Sequence, residues 1–216
     1  MKKKKKDNFY VRIIKPVVGR MMALIGLVLL WWLYILIAIA IVIDDPGPVI
    51  FKQRRVGKKK NGELTYFNIL KFRTMKTSTP KDVPTHLLHD PDQYITRVGR
   101  FLRKYSLDEL PQLWNIAIEG NLTWIGPRPA LYNQEDLIEE REKYGANDVM
   151  PGITGWAQVN GRDELEINEK ARLDGVYVSD ISKGNTMAIL MDVTCFIKTI
   201  RVVAIAAGIS EGDGES

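Results

Sequence analysis

Residues 21–43 read MMALIGLVLLWWLYILIAIAIVI, and this stretch decides the architecture of the chain. It contains no charged residue and no proline, and its 23 residues exceed the roughly 20 that cross a bilayer as a helix. A buried core helix this long and apolar on all sides would need a larger body around it. A cleaved signal peptide is disfavoured because Asp44-Asp45-Pro46-Gly47-Pro48, rather than a small-residue cleavage site, follows the run. We therefore predict a membrane-embedded helix over residues 21–43.

The positive charge of the chain is concentrated on both sides of this stretch. Residues 1–60 contain 14 Lys and Arg against 3 Asp and Glu, a net +11, whereas residues 61–216 contain 17 against 23, a net −6; together they give the overall +5. A basic protein can be a nucleic-acid binder, but the acidic body and the position of the basic residues around an apolar helix disfavour that class. The basic flanks indicate contact with anionic lipid instead.

The topology of the helix has two alternatives. Basic residues lie on both of its flanks, and the positive-inside rule cannot be satisfied at both ends of a crossing helix. A re-entrant helix that returns to the cytoplasmic side satisfies both flanks, so we favour it over a single crossing. A re-entrant hairpin normally needs a break at its apex, however, and Trp31-Trp32 at the middle of the run is no helix breaker. Both topologies therefore stay open.

The remaining sequence predicts an α+β fold in which a small, mostly helical body contains one short β-hairpin. The β-rich runs at 49–51 and 64–72 enclose a turn-forming loop at 58–62, which is the pattern of a hairpin. Apolar periodicity predicts helices over residues 95–105, 110–119, 134–144 and 187–207. The predicted organisation is a basic amphipathic segment at 1–20, the membrane-embedded helix at 21–43, the body at 44–208 and a flexible tail at 209–216.

The last predicted helix, 187–207, either packs on the body or lies on the membrane surface. Its charged residues Asp192, Lys198 and Arg201 argue against a second span. The single cysteine of the chain, Cys195, has no intrachain partner, which favours a reducing compartment. The apolar stripe of this helix consists of Ile189, Val193, Phe196, Ile200 and Val203.

The sequence around Asp108 carries the clearest chemical signal. Ser106-Leu107-Asp108-Glu109 fits a capping box, with Ser106 at the N-cap and Glu109 three residues later, and on local grounds this structural interpretation is the simpler one. The same arrangement places Asp108 in a first helical turn, where the helix dipole favours an ionised carboxylate. An ionised Asp is also the nucleophile that an attack on phosphate requires. Because both groups are anionic, such a site needs a divalent cation and fixed positive side chains.

Basic side chains that could supply those fixed charges occur in several short segments, while P-loop, dinucleotide, zinc-ligand and serine-hydrolase motifs are missing from the sequence. Arg128 stands out because Pro127 and Pro129 hold it in a rigid turn, so that less entropy is lost when it binds a phosphate. The guanidinium fork also matches phosphate geometry. The candidates are Lys71, Arg73, Arg103, Arg128 and Arg162.

Six segments in a fixed order resemble the bacterial sugar transferase family, the small monotopic polyprenol-phosphate phosphoglycosyl transferases. The similarity runs from about Asp45 to Arg162 and continues more weakly through Asp192, so it covers most of the chain. The segments are Pro46-Gly47-Pro48-Val49-Ile50-Phe51, Gln53-Arg54-Arg55-Val56-Gly57, Lys71-Phe72-Arg73-Thr74-Met75, Ser106 through Leu113, Ile125-Gly126-Pro127-Arg128-Pro129, and Pro151-Gly152-Ile153-Thr154-Gly155 through Gln158-Val159-Asn160-Gly161-Arg162.

The resemblance implies a two-step reaction catalysed by the body, residues 44–208. In the family, an aspartate at the position of Asp108 attacks the β-phosphate of a UDP-sugar and releases UMP, and polyprenol phosphate then displaces the enzyme-bound sugar phosphate. Mg²⁺ is expected at Asp108 and Glu109, and the catalytic domain is expected on the cytoplasmic face of the bacterial inner membrane. The resemblance assigns phosphate contacts to Lys71, Arg73, Arg103, Arg128 and Arg162.

The chain departs from the family pattern at four places. Trp31-Trp32 stands where Ser-Pro is usual, Gly19 and Asn121 each stand where Asp is usual, and one extra residue follows Asn115. None of these changes lies in the acidic pair, so they bear on local geometry and donor preference more than on the reaction class.

A membrane-anchored scaffold or binding protein that kept the fold and lost activity is the alternative function. The intact Asp108, Glu109, Arg128 and Arg162 argue against it. The sequence leaves open which sugar is transferred and which glycan pathway is served, and a homodimer is one option for its assembly.

Overall fold

The computed structural model describes residues 8–79, 91–161 and 165–212, with the side chains of 203–212 outside the described part. The expected mixture of helices and strands is confirmed, with an apolar helix near the N-terminus and a short hairpin. Arg162 and the last four residues of the predicted tail lie outside the described residues. The main elements are α1 (Lys15–Asp44), β1 (Ile50–Val56), β2 (Tyr66–Phe72), α2 (Arg97–Lys104), α3 (Gln112–Trp114), β3 (Thr123–Ile125), α4 (Glu135–Lys143), β4 (Gly152–Thr154), α5 (Ile167–Ile181) and α6 (Asn185–Gly212).

Helix α1 runs without interruption through Trp31 and Trp32. A π-helical turn, Tyr10–Ile14, precedes it, so the helical region begins well before residue 21. Within the described part of the chain, residues 10–44 form the one helix that is long and apolar enough to cross a membrane. The unbroken course agrees with the sequence, because the usual cause of a sharp kink, an interior proline, is missing from residues 21–43.

Helix α1 packs on the body at its start, its middle and its end. Ala23 is completely buried, and Gly26 lets the Leu113 side chain approach closely. The face that points away from the body exposes large apolar side chains, including Leu29 and Trp31. Hydrogen bonds join Lys15 Nζ to Asp192 Oδ1 (2.9 Å), Trp124 Nε1 to Gly19 O (2.9 Å) and the backbone N of Val98 to Asp44 Oδ2 (2.8 Å).

The predicted hairpin is confirmed. Strands β1 and β2 are antiparallel, with Ile50 opposite Phe72 and Val56 opposite Tyr66. The connecting loop contains Asn61 and Gly62, both with positive φ (52° and 85°), a backbone conformation that these two residue types adopt more readily than others.

The predicted helix at 110–119 is divided into shorter segments. A 3₁₀ turn, Leu107–Glu109, is followed by α3 and by a π-helical turn, Asn115–Glu119. The capping-box prediction is wrong: Ser106 has a left-handed backbone (φ 55°), and its side chain makes no capping hydrogen bond. An N-cap residue normally has an extended backbone, whereas Ser106 turns the chain after α2.

The π-helical turn coincides with the extra residue after Asn115. An i→i+5 turn contains one residue more than an α-helical turn, so it accommodates an insertion without disturbing its neighbours. Asn115 is completely buried, and its side chain accepts a hydrogen bond from Leu70 N (3.0 Å) and donates one to Asn68 O (2.9 Å). These bonds attach strand β2 to the helical segments that follow Leu107–Glu109.

A second part of the body consists of β3, β4, α4 and α5. The two strands pair in parallel, with Thr123 opposite Gly152, and residues 126–129 follow directly after β3. Helices α4 and α5 are joined by a buried ion pair between Arg141 and Asp174. The parallel pair was not predicted, because strands of three residues are too short to show a periodic pattern. Helix α5 was not predicted either.

Helix α6 packs on the body through a face other than its apolar stripe. Ala188, Met191 and Cys195 are buried against α5 and β3, and these smaller or flexible side chains allow close approach. The stripe residues whose side chains are described, Ile189, Val193, Phe196 and Ile200, are 41–54% exposed.

Candidate active site

The turn Leu107–Glu109 presents two adjacent carboxylates to strand β2. Ser106 turns the chain back after α2, and the turn continues directly into α3. Leu107 and Leu110 pack into the apolar cluster formed by α1, β2 and α2, which fixes the turn from behind. The side chains of Asp108 and Glu109 are 13% and 20% exposed, so both are largely desolvated and still reachable from solvent.

Glu109 is held by two cations through a single oxygen. Its Oε1 accepts hydrogen bonds from Lys71 Nζ and from Arg128 Nη2, each at 2.8 Å. Burial raises the pKa of Glu109, but the adjacent Arg128 and Lys71 outweigh burial and lower the pKa to about 2. Glu109 is therefore an ionised carboxylate at every physiological pH.

Asp108 also lies near Lys71, without a hydrogen bond to it. Its Oδ2 is 4.0 Å from Lys71 Nζ, which is too long for a hydrogen bond. Burial raises the pKa of Asp108 above its ordinary value, Lys71 and Arg103 oppose the shift, and Glu109 adds to it. The two neighbouring carboxylates thus have pKa values displaced in opposite directions, a pattern that is frequent at functional sites.

Arg128 is positioned by the β3–β4 pair. Its Nη1 donates to Ile153 O (3.3 Å), and Gly152 N donates to Pro127 O (3.0 Å) just before it. Gly126 is required there, because a Cβ atom would lie 2.4 Å from the backbone oxygen of Met150. The Arg128 side chain remains 39% exposed, so one of its nitrogens holds Glu109 while the guanidinium is accessible to a ligand.

Arg55 supports the Arg128 loop, although its place in the basic flank after the apolar helix predicted only a contact with lipid. Its Nη1 donates to Pro129 O (3.0 Å), and the next residue, Val56, donates its backbone N to Ala130 O (3.0 Å). Burial and the nearby Arg128 lower the pKa of Arg55 to about 10. The only available signal was its place in the segment 53–57, which carries part of the family resemblance.

The other predicted phosphate-binding residues take different positions. Arg73 is 8% exposed; it pairs with the Asp45 carboxylate and donates from Nε to Pro48 O (2.7 Å), which fixes the chain after α1. Arg103 donates from Nε to Thr74 Oγ1 (2.9 Å) and acts electrostatically on Asp108. Arg162 lies outside the described residues. Of the four predicted cations that the structure describes, it brings Lys71 and Arg128 into direct contact with the acidic pair.

Asp108 and Glu109 are the residues that could hold a magnesium ion. The described residues contain no group of three or more His, Cys, Asp or Glu side chains that could form a complete protein site. Mg²⁺ commonly uses one or two carboxylates and completes its octahedral shell with water and substrate phosphates. Asp108 and Glu109 supply two adjacent carboxylates of this kind, although Glu109 Oε1 is already engaged by Lys71 and Arg128.

Comparison with known proteins identifies relatives of this chain. The "Uncharacterized sugar transferase EpsL" of Bacillus subtilis is 39% identical over 82% of this chain and 81% of its own length. The UDP-glucose:undecaprenyl-phosphate glucose-1-phosphate transferases of Xanthomonas campestris and Escherichia coli are 41% and 40% identical over 72% and 74% of this chain. The chain spans only 31% and 34% of those two longer proteins. A family model described as "Bacterial sugar transferase" matches residues 10–206. With this match over nearly its whole length, the chain belongs to the bacterial sugar transferase family.

Proposed function

We propose that this protein transfers a sugar 1-phosphate from a UDP-sugar to undecaprenyl phosphate. The observation that carries the proposal is the adjacent carboxylate pair in which Glu109 is fixed by Lys71 and Arg128, while Asp108 accepts no hydrogen bond from a cation among the described residues. Relatives from Xanthomonas campestris and Escherichia coli, which match about three quarters of this chain, are named for this reaction with UDP-glucose.

Asp108 is the nucleophile in this proposal. Its carboxylate oxygen attacks the β-phosphorus of the UDP-sugar, the bond from that phosphorus to the bridging oxygen breaks, and UMP leaves with the electron pair. The sugar phosphate stays on Asp108 as an acyl phosphate. A phosphate oxygen of undecaprenyl phosphate then attacks the same phosphorus and releases the carboxylate of Asp108.

The surrounding charges make this attack feasible. A carboxylate and a diphosphate repel each other, and Lys71, Arg103 and Arg128 offset the repulsion from fixed positions. Mg²⁺ held by Asp108 and Glu109 would supply further positive charge at the leaving oxygen. A catalytically silent scaffold of the same fold would not depend on this combination of a carboxylate pair and accessible cations.

A donor panel tests the proposal. The purified full chain in lipid nanodiscs is incubated with undecaprenyl phosphate, Mg²⁺ and a panel of UDP-sugars, and UMP is quantified. UMP and a lipid-linked sugar should form with at least one donor. When undecaprenyl phosphate is omitted, UMP release should stop at an amount stoichiometric with the enzyme, because Asp108 then stays modified. A broad panel that yields no UMP would contradict the proposed activity.

We also propose that α1 is embedded in the cytoplasmic leaflet and that both of its flanks lie on the cytoplasmic side of a bacterial inner membrane. Lys15 near its start and Asp44 at its end contact the same body, which favours one side over a crossing. The unbroken course through Trp31 and Trp32 is compatible with a helix that lies along the body, with its exposed apolar face toward the lipid.

Cysteine labelling tests this topology. Lys5→Cys and Lys58→Cys are each introduced into a Cys195→Ala background, which removes the buried native thiol. A membrane-impermeant thiol reagent should label both positions in inside-out vesicles and neither in right-side-out vesicles. Labelling of the two positions from opposite sides would establish a crossing helix.

A further inference from the structure

Glu109 Oε1 has the surroundings that a phosphate oxygen would have in the proposed site. It receives one hydrogen bond from an ammonium group and one from a guanidinium group, both at 2.8 Å. These two cations come from different elements, strand β2 and the loop at 126–129, and meet at this oxygen. Lys71 is 18% exposed and Arg128 is 39% exposed, so an anionic ligand can reach both.

Glu109 and a diphosphate substrate compete for Lys71 and Arg128, and these two cations compete with a metal ion for Glu109. While Lys71 and Arg128 hold Glu109, they are not fully available to a diphosphate, and Glu109 is not fully available to a metal ion. Two positive charges at 2.8 Å also repel a divalent cation that approaches the same oxygen. The described residues supply no third carboxylate, thiolate or imidazole that could compensate a metal for this repulsion.

We propose that Glu109 exchanges partners when substrate binds, so that the divalent cation and the nucleotide diphosphate bind cooperatively. The diphosphate takes over Lys71 and Arg128, and the carboxylate of Glu109 is thereby released to the metal. The metal in turn receives oxygen ligands from both the diphosphate and the acidic pair. This inference rests on the proposed function, because it assumes a diphosphate substrate and a metal at Asp108 and Glu109.

If the exchange occurs, removing one cation should change the affinity for the metal and the affinity for the nucleotide in opposite directions. Removing Lys71 or Arg128 should strengthen binding of the metal alone, because one competitor for Glu109 is gone. The same change should weaken binding of the nucleotide, because one phosphate contact is gone. A site in which Lys71 and Arg128 neither occupy nor screen Glu109 predicts no gain in metal affinity.

The experiment measures the two ligands separately on the full chain in nanodiscs. Mn²⁺ serves as the metal probe, and its free concentration is read by electron paramagnetic resonance without nucleotide. Tritiated UDP serves as the nucleotide probe, and its binding is measured by equilibrium dialysis with and without Mn²⁺. Wild type, Lys71→Met and Arg128→Met are compared. Lys59→Met is the matched control, because Lys59 pairs with Glu142 outside the site.

The wild type should bind UDP at least about tenfold more tightly when Mn²⁺ is present, because coupling between two binding sites typically changes an affinity by about 5- to 150-fold. Lys71→Met and Arg128→Met should each bind Mn²⁺ alone about tenfold more tightly than wild type and bind UDP more weakly. Lys59→Met should match wild type in both measurements.

Two results would overturn the exchange: Mn²⁺ affinity that is unchanged or reduced in both variants, or UDP affinity of the wild type that does not depend on Mn²⁺. Failure of the proposed function is recognised separately, because it appears as the absence of UMP release from the donor panel. An active wild type without cooperativity therefore rejects the exchange alone.

Discussion

Two carboxylates of this protein, Asp174 and Glu109, are paired with basic side chains in different surroundings. Asp174 is completely buried and its partner Arg141 is 4% exposed; Asp174 Oδ2 accepts hydrogen bonds from Nε (2.8 Å) and Nη2 (2.5 Å) of that one arginine. Glu109 is 20% exposed and shares one oxygen between Lys71 and Arg128, which come from different elements.

The difference separates a closed pair from an open one. Arg141 binds Oδ2 of Asp174 where solvent is excluded, so the effect of the pair is to hold α4 against α5. Glu109 meets two cations that solvent and ligands can reach, so the same kind of contact can be exchanged. We call Glu109 with Lys71 and Arg128 the open site and Arg141 with Asp174 the closed pair. Changes at the open site should therefore alter activity more than stability, and changes at the closed pair should do the reverse.

The largest effect is expected from Asp108→Asn. An amide cannot act as the nucleophile, so turnover should fall by more than about 10³-fold, and covalent labelling by a donor sugar phosphate should be lost. The measurement is UMP release together with intact-protein mass spectrometry after incubation with the donor. The thermal unfolding midpoint should stay close to that of wild type, because Asp108 makes no close ion pair. Turnover close to wild type would remove Asp108 from this role.

Arg141→Met should instead act on stability. It leaves Asp174 buried without its partner, and breaking a buried ion pair in this way costs about 3–5 kcal/mol of unfolding free energy. Chemical denaturation in detergent measures the loss. The double variant Arg141→Met/Asp174→Leu should recover much of it, because no unpaired charge then remains.

The control for the buried pair is Arg172→Met on the exposed face of α5. Arg172 and Glu169 are 52% and 43% exposed, and removing such a pair should leave the free energy of unfolding nearly unchanged. Equal losses for Arg141→Met and Arg172→Met would contradict the distinction between the closed and the open pair.

The pH dependence of stability should reveal the charge on Glu109. Its pKa falls from an ordinary value of 4.5 to about 2 in the folded protein, so its ionised form stabilises the fold above pH 4.5. A shift of this size corresponds to about 3 kcal/mol, and this contribution is lost as the pH falls from 4.5 toward 2. The difference in unfolding free energy between wild type and Glu109→Gln, measured without divalent ions, should be constant near neutral pH and decrease over that interval. A difference that does not vary with pH would contradict the ion pairs with Lys71 and Arg128.

Local sequence patterns were sufficient for the hairpin and for the apolar helix. Alternating β-rich runs around a turn, and a charge-free stretch, are properties of neighbouring residues, and both elements were found. The capping box was misjudged for the same reason: Ser106 and Glu109 have the right local spacing, but Ser106 has a left-handed backbone, and Glu109 is bound by Lys71 and Arg128, which are distant in sequence. Local pattern cannot report such a long-range constraint.

The residues of the candidate site were predictable from residue type and family resemblance, but the hydrogen bonds between their side chains were not. Lys71, Glu109 and Arg128 are separated by 38 and 19 residues, and only the attachment of β2 and of the β3–β4 pair to the same turn brings them together. Nothing in the sequence indicates that Glu109 shares one oxygen, or that Arg73 is committed to Asp45. Those assignments depend on three-dimensional contacts that no single segment encodes.

The smallest effect is expected from Tyr34→Phe, which removes a hydrogen bond between α1 and the residue after Glu109. Tyr34 Oη donates to Leu110 O (2.6 Å), directly after Glu109, and the Tyr34 ring packs on Phe72 with centroids 5.4 Å apart. Tyr34→Phe removes one hydrogen bond worth about 1 kcal/mol and keeps the packing, so kcat should fall by about fivefold. KM for the UDP-sugar should not change, because Lys71 and Arg128 keep their positions. Tyr132→Phe, on an exposed tyrosine, is the control. A rise in KM with unchanged kcat would show that the bond between α1 and the turn affects donor binding rather than the position of the nucleophile.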